Sequence, residues 1–161
     1  MTSNSHSPWV YKGENLLEMP DGYEGFVYRI TLPDGRMYIG QKKNTFKRTK
    51  TLKGKKVRQI VESDWQDYYG SSDEVKQLVA TLGSAGFKRE ILYLCQTKSL
   101  MNYLEACLIF STGALLSDKY VNRWVSTRIN ASTVVGKLQE HSHLPEFELI
   151  ERELKKPKKK V

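Results

Sequence analysis

Glu105 is the acidic residue whose position could support chemistry. It lies on a largely apolar face of a helix predicted over residues 99–111. A buried carboxylate is costly unless it is paired with a cation or binds a metal. On pattern alone three interpretations stay open: a salt bridge to Arg48 or Lys42, simple exposure at the helix boundary, or a place in a functional site.

Two tyrosines could join such a site. The segments 25–32 and 36–41 are rich in β-branched and aromatic residues, and the turn sequence Pro33-Asp34-Gly35 separates them. This pattern predicts a β-hairpin, which would bring Tyr28 and Tyr38 close together. Aromatic residues on a hairpin commonly form core, so a packing role and a role for the hydroxyls both stay open.

Cations concentrate in two segments of the 161-residue chain, which carries a formal net charge of +8. Residues 42–58 hold nine Lys and Arg and no acid, and residues 155–161 hold five Lys. A basic segment of this kind indicates contact with a polyanion, although a solvated loop is the alternative. Trp65 and Tyr69, which follow the first segment, could stack on bases or could be ordinary core.

Several classes of protein are excluded by what the sequence lacks. The two cysteines, Cys95 and Cys107, cannot build a disulfide framework, and the three histidines lie outside the patterned core. No phosphate-binding glycine loop and no apolar run of about 18 residues occurs. Zinc enzymes, nucleotide-dependent enzymes, secreted disulfide scaffolds and membrane proteins are therefore not expected, and a cytoplasmic location is the default.

The element order predicted from the patterns is β-β-α-β-α, an α+β fold. Ser71 and Glu74 form a capping-box signature for a helix that stops at Gly83. A third strand is predicted over 87–94, and the helix over 99–111 should end at Gly113.

We divide the chain into four segments on this basis. They are an irregular N-terminal lead-in (1–24), a domain with a basic insertion at 42–58 (25–130), a helical extension (131–154) and a disordered Lys-rich tail (155–161). The insertion is interpreted as a long loop with some helix.

Two triplets, Phe26-Val27-Tyr28 and Tyr38-Ile39-Gly40, resemble the paired motif of the GIY-YIG nuclease superfamily. The stretch from Trp65 to Ser72, and a Lys just after the second triplet (Lys42 or Lys43), resemble its phage-type, homing-endonuclease-like branch. The first triplet departs from the name but keeps its Tyr, and the second matches in full. The resemblance covers residues 25–125. It implies a small three-stranded antiparallel sheet flanked by helices, in agreement with the element order.

The resemblance also implies a site. Arg48 corresponds to an Arg expected on a helix after the second triplet, Glu105 to a metal-binding Glu, and Asn122 to a later Asn. A His that many members carry is missing, and Lys42, Lys53 or Tyr69 could replace it. The candidate catalytic residues are Tyr28, Tyr38, Lys42, Arg48, Tyr69 and Glu105, and Glu105 is the candidate metal ligand. The candidate nucleic-acid contacts are Lys43, Lys47, Lys50, Lys53, Lys55, Lys56, Arg58 and Asn122.

The function implied is a Mg²⁺-dependent DNA endonuclease, with Mn²⁺ as a substitute. Mg²⁺ needs only one or two carboxylates, so Glu105 could suffice. Tyr28 would act as base or water-positioner, Tyr38 would support it, and Arg48 would bind phosphate. We expect double-stranded DNA as partner, no membrane, a homodimer as one option, and a phage gene as source. The alternatives are a catalytically inactive nucleic-acid-binding module on the same fold and an accessory protein that binds an acidic partner.

Overall fold

A computed structural model describes residues 6–125. It contains seven strands, one turn of 3-10 helix at Trp65–Asp67 and two α-helices. In chain order these are β1 (Trp9–Tyr11), β2 (Glu14–Asn15), β3 (Gly25–Thr31), β4 (Met37–Lys43), β5 (Thr45–Leu52), β6 (Lys55–Glu62), α1 (Asp73–Leu82), β7 (Lys88–Cys95) and α2 (Lys98–Ser111). The predicted extension at 131–154 and the tail at 155–161 lie outside the described residues.

The main sheet has five strands in the order β2-β1-β7-β3-β4. Strands β7, β3 and β4 are the predicted antiparallel trio, and β1 adds to β7 in parallel. The prediction of three strands and an irregular lead-in was therefore wrong, because the lead-in supplies β1 and β2. Trp9 explains the docking of β1: it is buried, and its indole Nε1 donates to the carbonyl of Trp65 at 2.7 Å.

The β3–β4 hairpin is confirmed. Gly35 has a φ of 88°, the left-handed region that a glycine enters without steric cost, and the Asp34 carboxylate accepts from the Arg36 amide at 2.9 Å. Tyr28 lies opposite Gly40, and Tyr38 lies opposite Ile30. A β-bulge between Val27 and Tyr28 shifts the register of β3 against β7.

Hydrophobic packing covers both faces of the sheet. On one face α2 packs Leu100, Leu104 and Leu108 against Val27 and Ile39. The other face carries an aromatic cluster under α1, composed of Trp9, Phe26, Tyr28, Trp65 and Tyr69 together with Val75 of the helix. The sheet is thus the middle layer of three, and β4 is its edge strand.

Both predicted helices are present. Their starts are set by side-chain caps: Ser72 Oγ accepts from Val75 N, and Thr97 Oγ1 accepts from Leu100 N. The cap of α1 is therefore Ser72, one residue later than the capping box suggested, and Gly83 ends that helix with a φ of 76°. Gly113 follows α2 in the left-handed region, as expected for a helix stop.

The basic insertion is a second β-hairpin, which corrects the prediction of a loop with some helix. Strands β5 and β6 pair antiparallel over eight residues each, from Thr45 opposite Glu62 to Leu52 opposite Lys55. Lys53 and Gly54 form the tip with φ values of 48° and 77°, as a two-residue hairpin turn requires. Every residue from Phe46 to Ile60 is exposed.

None of the helices within residues 6–125 has the length and apolar character to cross a membrane.

Candidate active site

A cleft of about 450 Å³ opens beside the edge strand β4. Its walls come from β4, from the start of α1, from α2 and from the chain after α2. The lining residues are Tyr38, Ile39, Gln41, Ser71, Ser72, Asp73, Glu74, Glu105, Val121, Asn122, Arg123, Trp124 and Val125. The structure therefore brings together three of the predicted site residues in the cleft lining: Tyr38, Glu105 and Asn122.

Tyr28 lies directly behind this cleft. Its ring centroid is 6.2 Å from that of Tyr38, so the predicted proximity of the two tyrosines is confirmed. A Cβ at Gly40 would overlap the Tyr28 hydroxyl. A Cβ at Gly70 would lie 2.9 Å from Cε1 of Tyr38 and 3.4 Å from that hydroxyl. The two glycines thus create the space in which the tyrosine hydroxyls meet.

The hydroxyls differ in their partners. Tyr38 shares a hydrogen bond of 2.9 Å with Ser71 Oγ. The Tyr28 hydroxyl is buried and meets no partner at hydrogen-bond geometry among the described residues. Tyr68 packs edge-on against Tyr28 with 6.0 Å between ring centroids. Sequence reasoning missed Tyr68, which packs against Tyr28, and named the adjacent Tyr69 as a replacement for the missing His.

The electrostatics keep these tyrosines protonated. Burial raises the pKa of Tyr28 well above its usual value, and the neighbouring Tyr68, Tyr38 and Glu105 raise it further. Burial is also the largest cause of the raised pKa of Tyr38 and of Tyr68. A neutral phenol is a hydrogen-bond donor and a poor base, so this state argues against the predicted role of Tyr28 as base.

Lys42 does not lie against the Tyr28 hydroxyl. Its ammonium pairs with Asp64 Oδ1 at 2.5 Å and lies 3.9 Å from the centroid of the Tyr68 ring. Only 9% of its surface is exposed, so this cation is held in place by the carboxylate and the aromatic face. Its contact with the tyrosine cluster is the face of the Tyr68 ring.

Glu105 is half-buried, and its partner is neither Arg48 nor Lys42. Gln41 Nε2 donates to Glu105 Oε2 at 2.5 Å and to Asn102 Oδ1 at 2.8 Å. Burial raises the pKa of Glu105, whereas the hydrogen bond from Gln41 lowers it. Gln41, a second residue that sequence reasoning missed, therefore fixes one carboxylate oxygen on the wall of the cleft.

A metal in this cleft would depend on Glu105. Residues 6–125 contain no group of three or more His, Cys, Asp or Glu side chains that could hold an ion. Asp73 and Glu74 also line the cleft but form no such group with Glu105. Glu105 alone does not suit zinc, which takes three or four protein ligands. It does suit a hard ion such as Mg²⁺, which keeps most of its waters.

Two of the predicted catalytic residues lie elsewhere. Arg48 is exposed on β5 opposite Gln59, since the segment expected to be helical is a hairpin, and it does not line the cleft. Tyr69 is buried, its hydroxyl accepts from the Ser7 amide at 3.1 Å, and the Arg89 guanidinium lies 4.3 Å from its ring. Its contacts are those of a core residue.

Asn122 makes contacts of a different kind from those predicted. Its Oδ1 accepts from the Ile39 amide at 3.0 Å, and its Nδ2 donates to the Ile39 carbonyl at 2.8 Å. The side chain therefore imitates a neighbouring strand along the free edge of β4. This pairing brings Arg123, 69% exposed at its side chain, to the cleft wall near Glu74.

The predicted nucleic-acid contacts other than Asn122 lie in or beside the second hairpin. Lys43 ends β4 and pairs with Glu24 at 2.8 Å. The remaining cations all project from the exposed hairpin: Lys47, Lys50, Lys53, Lys55, Lys56 and Arg58.

The GIY-YIG resemblance implies two tyrosines on a β-hairpin, next to the glycine of the second triplet, and a glutamate on the helix after the third antiparallel strand. The structure has this arrangement. Comparison with protein families supports it: residues 9–126 match the family described as "Putative endonuclease segE, GIY-YIG domain". The chain belongs to this family of the GIY-YIG nuclease superfamily. The match begins at Trp9, so it includes the two N-terminal strands. Neither the curated proteins nor the solved structures gave a match.

Proposed function

We propose that this protein is a metal-dependent endonuclease that hydrolyses phosphodiester bonds in double-stranded DNA. The observation that carries the proposal is the convergence of Tyr38 and Glu105 on one cleft, with Tyr28 behind the glycine of the second triplet. The membership of a GIY-YIG endonuclease family supports the same chemistry.

Glu105 would hold the divalent ion through its carboxylate, and Gln41 orients that carboxylate by bonding Oε2. When bound, Mg²⁺ or Mn²⁺ supplies Lewis acidity towards a phosphate oxygen and lowers the pKa of a coordinated water. The hydroxyl of Tyr38, already bonded to Ser71, is placed on the cleft wall to hold a water or a phosphate oxygen. Tyr28, kept neutral by burial, supports this arrangement from behind.

Charge stabilisation at the scissile phosphate needs a cation in the cleft. Among the Lys and Arg residues within 6–125, Arg123 is the one whose side chain lines the cleft. Its guanidinium can bind two phosphate oxygens at once. Its ion pair with Glu74, at 3.9 Å, is loose, so the guanidinium can exchange that carboxylate for phosphate. Arg48, on the exposed hairpin, would bind a phosphate outside the cleft.

The test is cleavage of supercoiled plasmid in Mg²⁺, Mn²⁺ or EDTA. We expect metal-dependent nicking or linearisation by the wild type and its loss in Glu105→Gln, with DNA binding retained. Glu14→Gln is the matched control, because Glu14 is an exposed acid on β2, at the opposite edge of the sheet. Cleavage by Glu105→Gln at the wild-type rate would refute the assignment of the metal ligand.

An inactive nucleic-acid-binding module is the second candidate. It is favoured by the position of Arg48 outside the cleft and by the missing histidine of the superfamily pattern. Salt-dependent DNA binding by the wild type, without cleavage in either metal, would support this function instead.

A further inference from the structure

The hairpin of β5 and β6, residues 45–62, forms an arm with both faces open to solvent. Its two eight-residue strands would span about 26 Å at the usual rise per residue. It carries seven cations, Lys47, Arg48, Lys50, Lys53, Lys55, Lys56 and Arg58, against one acid, Glu62. The ion pairs formed within residues 6–125 include none of these seven cations.

The arm is anchored to the strand that forms the cleft. β5 continues from β4 after a single residue, Asn44, whose amide donates to the Glu24 carbonyl at 3.1 Å. Across the base, the Ser63 amide donates to the Asn44 carbonyl at 2.8 Å, and Glu62 accepts from the indole of Trp65 at 2.7 Å. The position of the arm relative to the cleft is therefore set by hydrogen bonds on both strands.

The cations occupy both faces of the arm. Alternation along the paired strands places Arg48, Lys50 and Lys55 on one face. It places Lys47, Lys56 and Arg58 on the other, and Lys53 at the tip. A ribbon that lay flat on one phosphate backbone would need cations on one face only. Cations on both faces suit a ribbon that has a phosphate backbone on each side.

We propose that the arm enters the major groove of B-form DNA tip first, so that each face meets one of the two phosphate walls. This groove is about 12 Å wide and admits a two-stranded β-ribbon. The inference rests on the proposed function for DNA as substrate. It extends that function by assigning a groove and a docking element to the enzyme.

The arm also carries side chains that can read bases. Lys53 lies at the tip and Lys55 begins β6, so tip-first insertion brings these two lysines to the groove floor, where Lys pairs with guanine O6 and N7. The deep, narrow major groove of A-form RNA excludes side chains, so duplex RNA is the wrong shape for this arm. Insertion in a groove would thus give the arm two functions, phosphate contact on both walls and contact with base edges between them.

The first test measures binding of the Glu105→Gln protein to one duplex in three forms. They are unmodified DNA, the same DNA methylated at guanine N7, and the DNA saturated with netropsin, which fills the minor groove. We expect methylation to weaken binding about tenfold, since one good base contact contributes about 1–3 kcal/mol, and netropsin to have no effect. Displacement by netropsin without an effect of methylation, or equal affinity for duplex RNA of the same sequence, would overturn the proposal.

The second test assigns the effect to the arm. Lys50, Lys53 and Lys55 are replaced together by Gln, and the matched control replaces three exposed lysines outside the arm, Lys12, Lys76 and Lys119, in the same way. The arm variant should lower the magnitude of the slope of log K against log salt by about three and lose the sensitivity to guanine methylation. An arm variant that behaved like the control in both measurements would contradict the inference.

The experiments distinguish failure of the proposed nuclease function from failure of the proposed insertion of the arm. A wild-type protein that cleaves plasmid but shows neither effect would be a nuclease without an inserting arm. A protein that shows both effects but cleaves no plasmid would keep the arm as a groove-binding element and lose the proposed catalytic function.

Discussion

Asn122 should be as important for stability as a core residue, although its side chain is polar. It is 3% exposed, and its amide makes two hydrogen bonds to Ile39, which is 2% exposed. The Asn122→Ala substitution leaves one buried N–H and one buried C=O of β4 without their partner. Each orphaned group costs about 1–3 kcal/mol, and partial entry of water reduces the sum, so we expect a loss of about 2–4 kcal/mol.

Urea unfolding measures this loss as a lower midpoint with an unchanged slope. Asn15→Ala is the matched control, because Asn15 is exposed on β2 and should change stability by less than about 0.5 kcal/mol. Hydrogen exchange gives an independent readout, since the Ile39 amide should lose protection in Asn122→Ala. A variant within about 0.5 kcal/mol of wild type would refute the edge-strand role of Asn122.

Asn122→Asp separates the two hydrogen bonds. A carboxylate still accepts from the Ile39 amide, but it cannot donate to the Ile39 carbonyl and places a negative charge beside it. The pKa of this new acid should be raised in the folded state. Stability of the variant should therefore fall as pH rises through that pKa and recover on acidification, when the protonated acid can donate. A variant whose stability relative to wild type did not depend on pH would contradict this reasoning.

Two further substitutions test the packing and the charge of the cleft. Gly40→Ala should destabilise the protein by about 1–3 kcal/mol, because the added Cβ overlaps Tyr28, and a double-mutant cycle in urea should show a much smaller cost in a Tyr28→Leu background. Glu105→Gln should raise the urea midpoint of unfolding at pH 7 in EDTA. Burial raises the pKa of Glu105, so the charged carboxylate destabilises the folded wild type, and this destabilisation disappears as the pH falls below that pKa. The substitution should also abolish any stabilisation of the wild type by added Mg²⁺, and an unchanged Mg²⁺ response would argue against Glu105 as ligand.

The sequence predicted the elements whose signals are local. The β3–β4 hairpin follows from β-branched runs around Pro33-Asp34-Gly35, and α2 follows from its apolar spacing and Gly113. The strands β1 and β2 span three and two residues, too few to show alternation. The second hairpin is exposed on both faces, and Lys, Arg and Thr separate most of its few apolar side chains, so neither strand shows the alternation of a half-buried strand. Lys53-Gly54 at its tip was the remaining signal.

The site residues, like the strands and helices, were predicted where a local sequence signal marks them and missed where none does. The resemblance implied Tyr28, Tyr38 and Glu105 because their positions follow short motifs and element order, and the structure places them around one cleft. Tyr68 and Gln41 were missed because their roles arise from contacts across long stretches of chain, Gln41 reaching Glu105 over 64 residues. No periodicity within a segment encodes such a contact.

Strand β4 explains how one short segment can organise the whole site. Its residues alternate between faces, so Gln41 turns towards α2 and Glu105, whereas Lys42 turns towards the aromatic cluster and Tyr68. Because β4 is the edge strand, the cleft beside it is lined by both Tyr38 and Gln41, which lie on opposite faces of the sheet. An open edge invites pairing with other chains, and Asn122 closes part of it by bonding Ile39. Because the same strand continues into the arm, DNA that is held by the arm would be held in a fixed relation to Glu105.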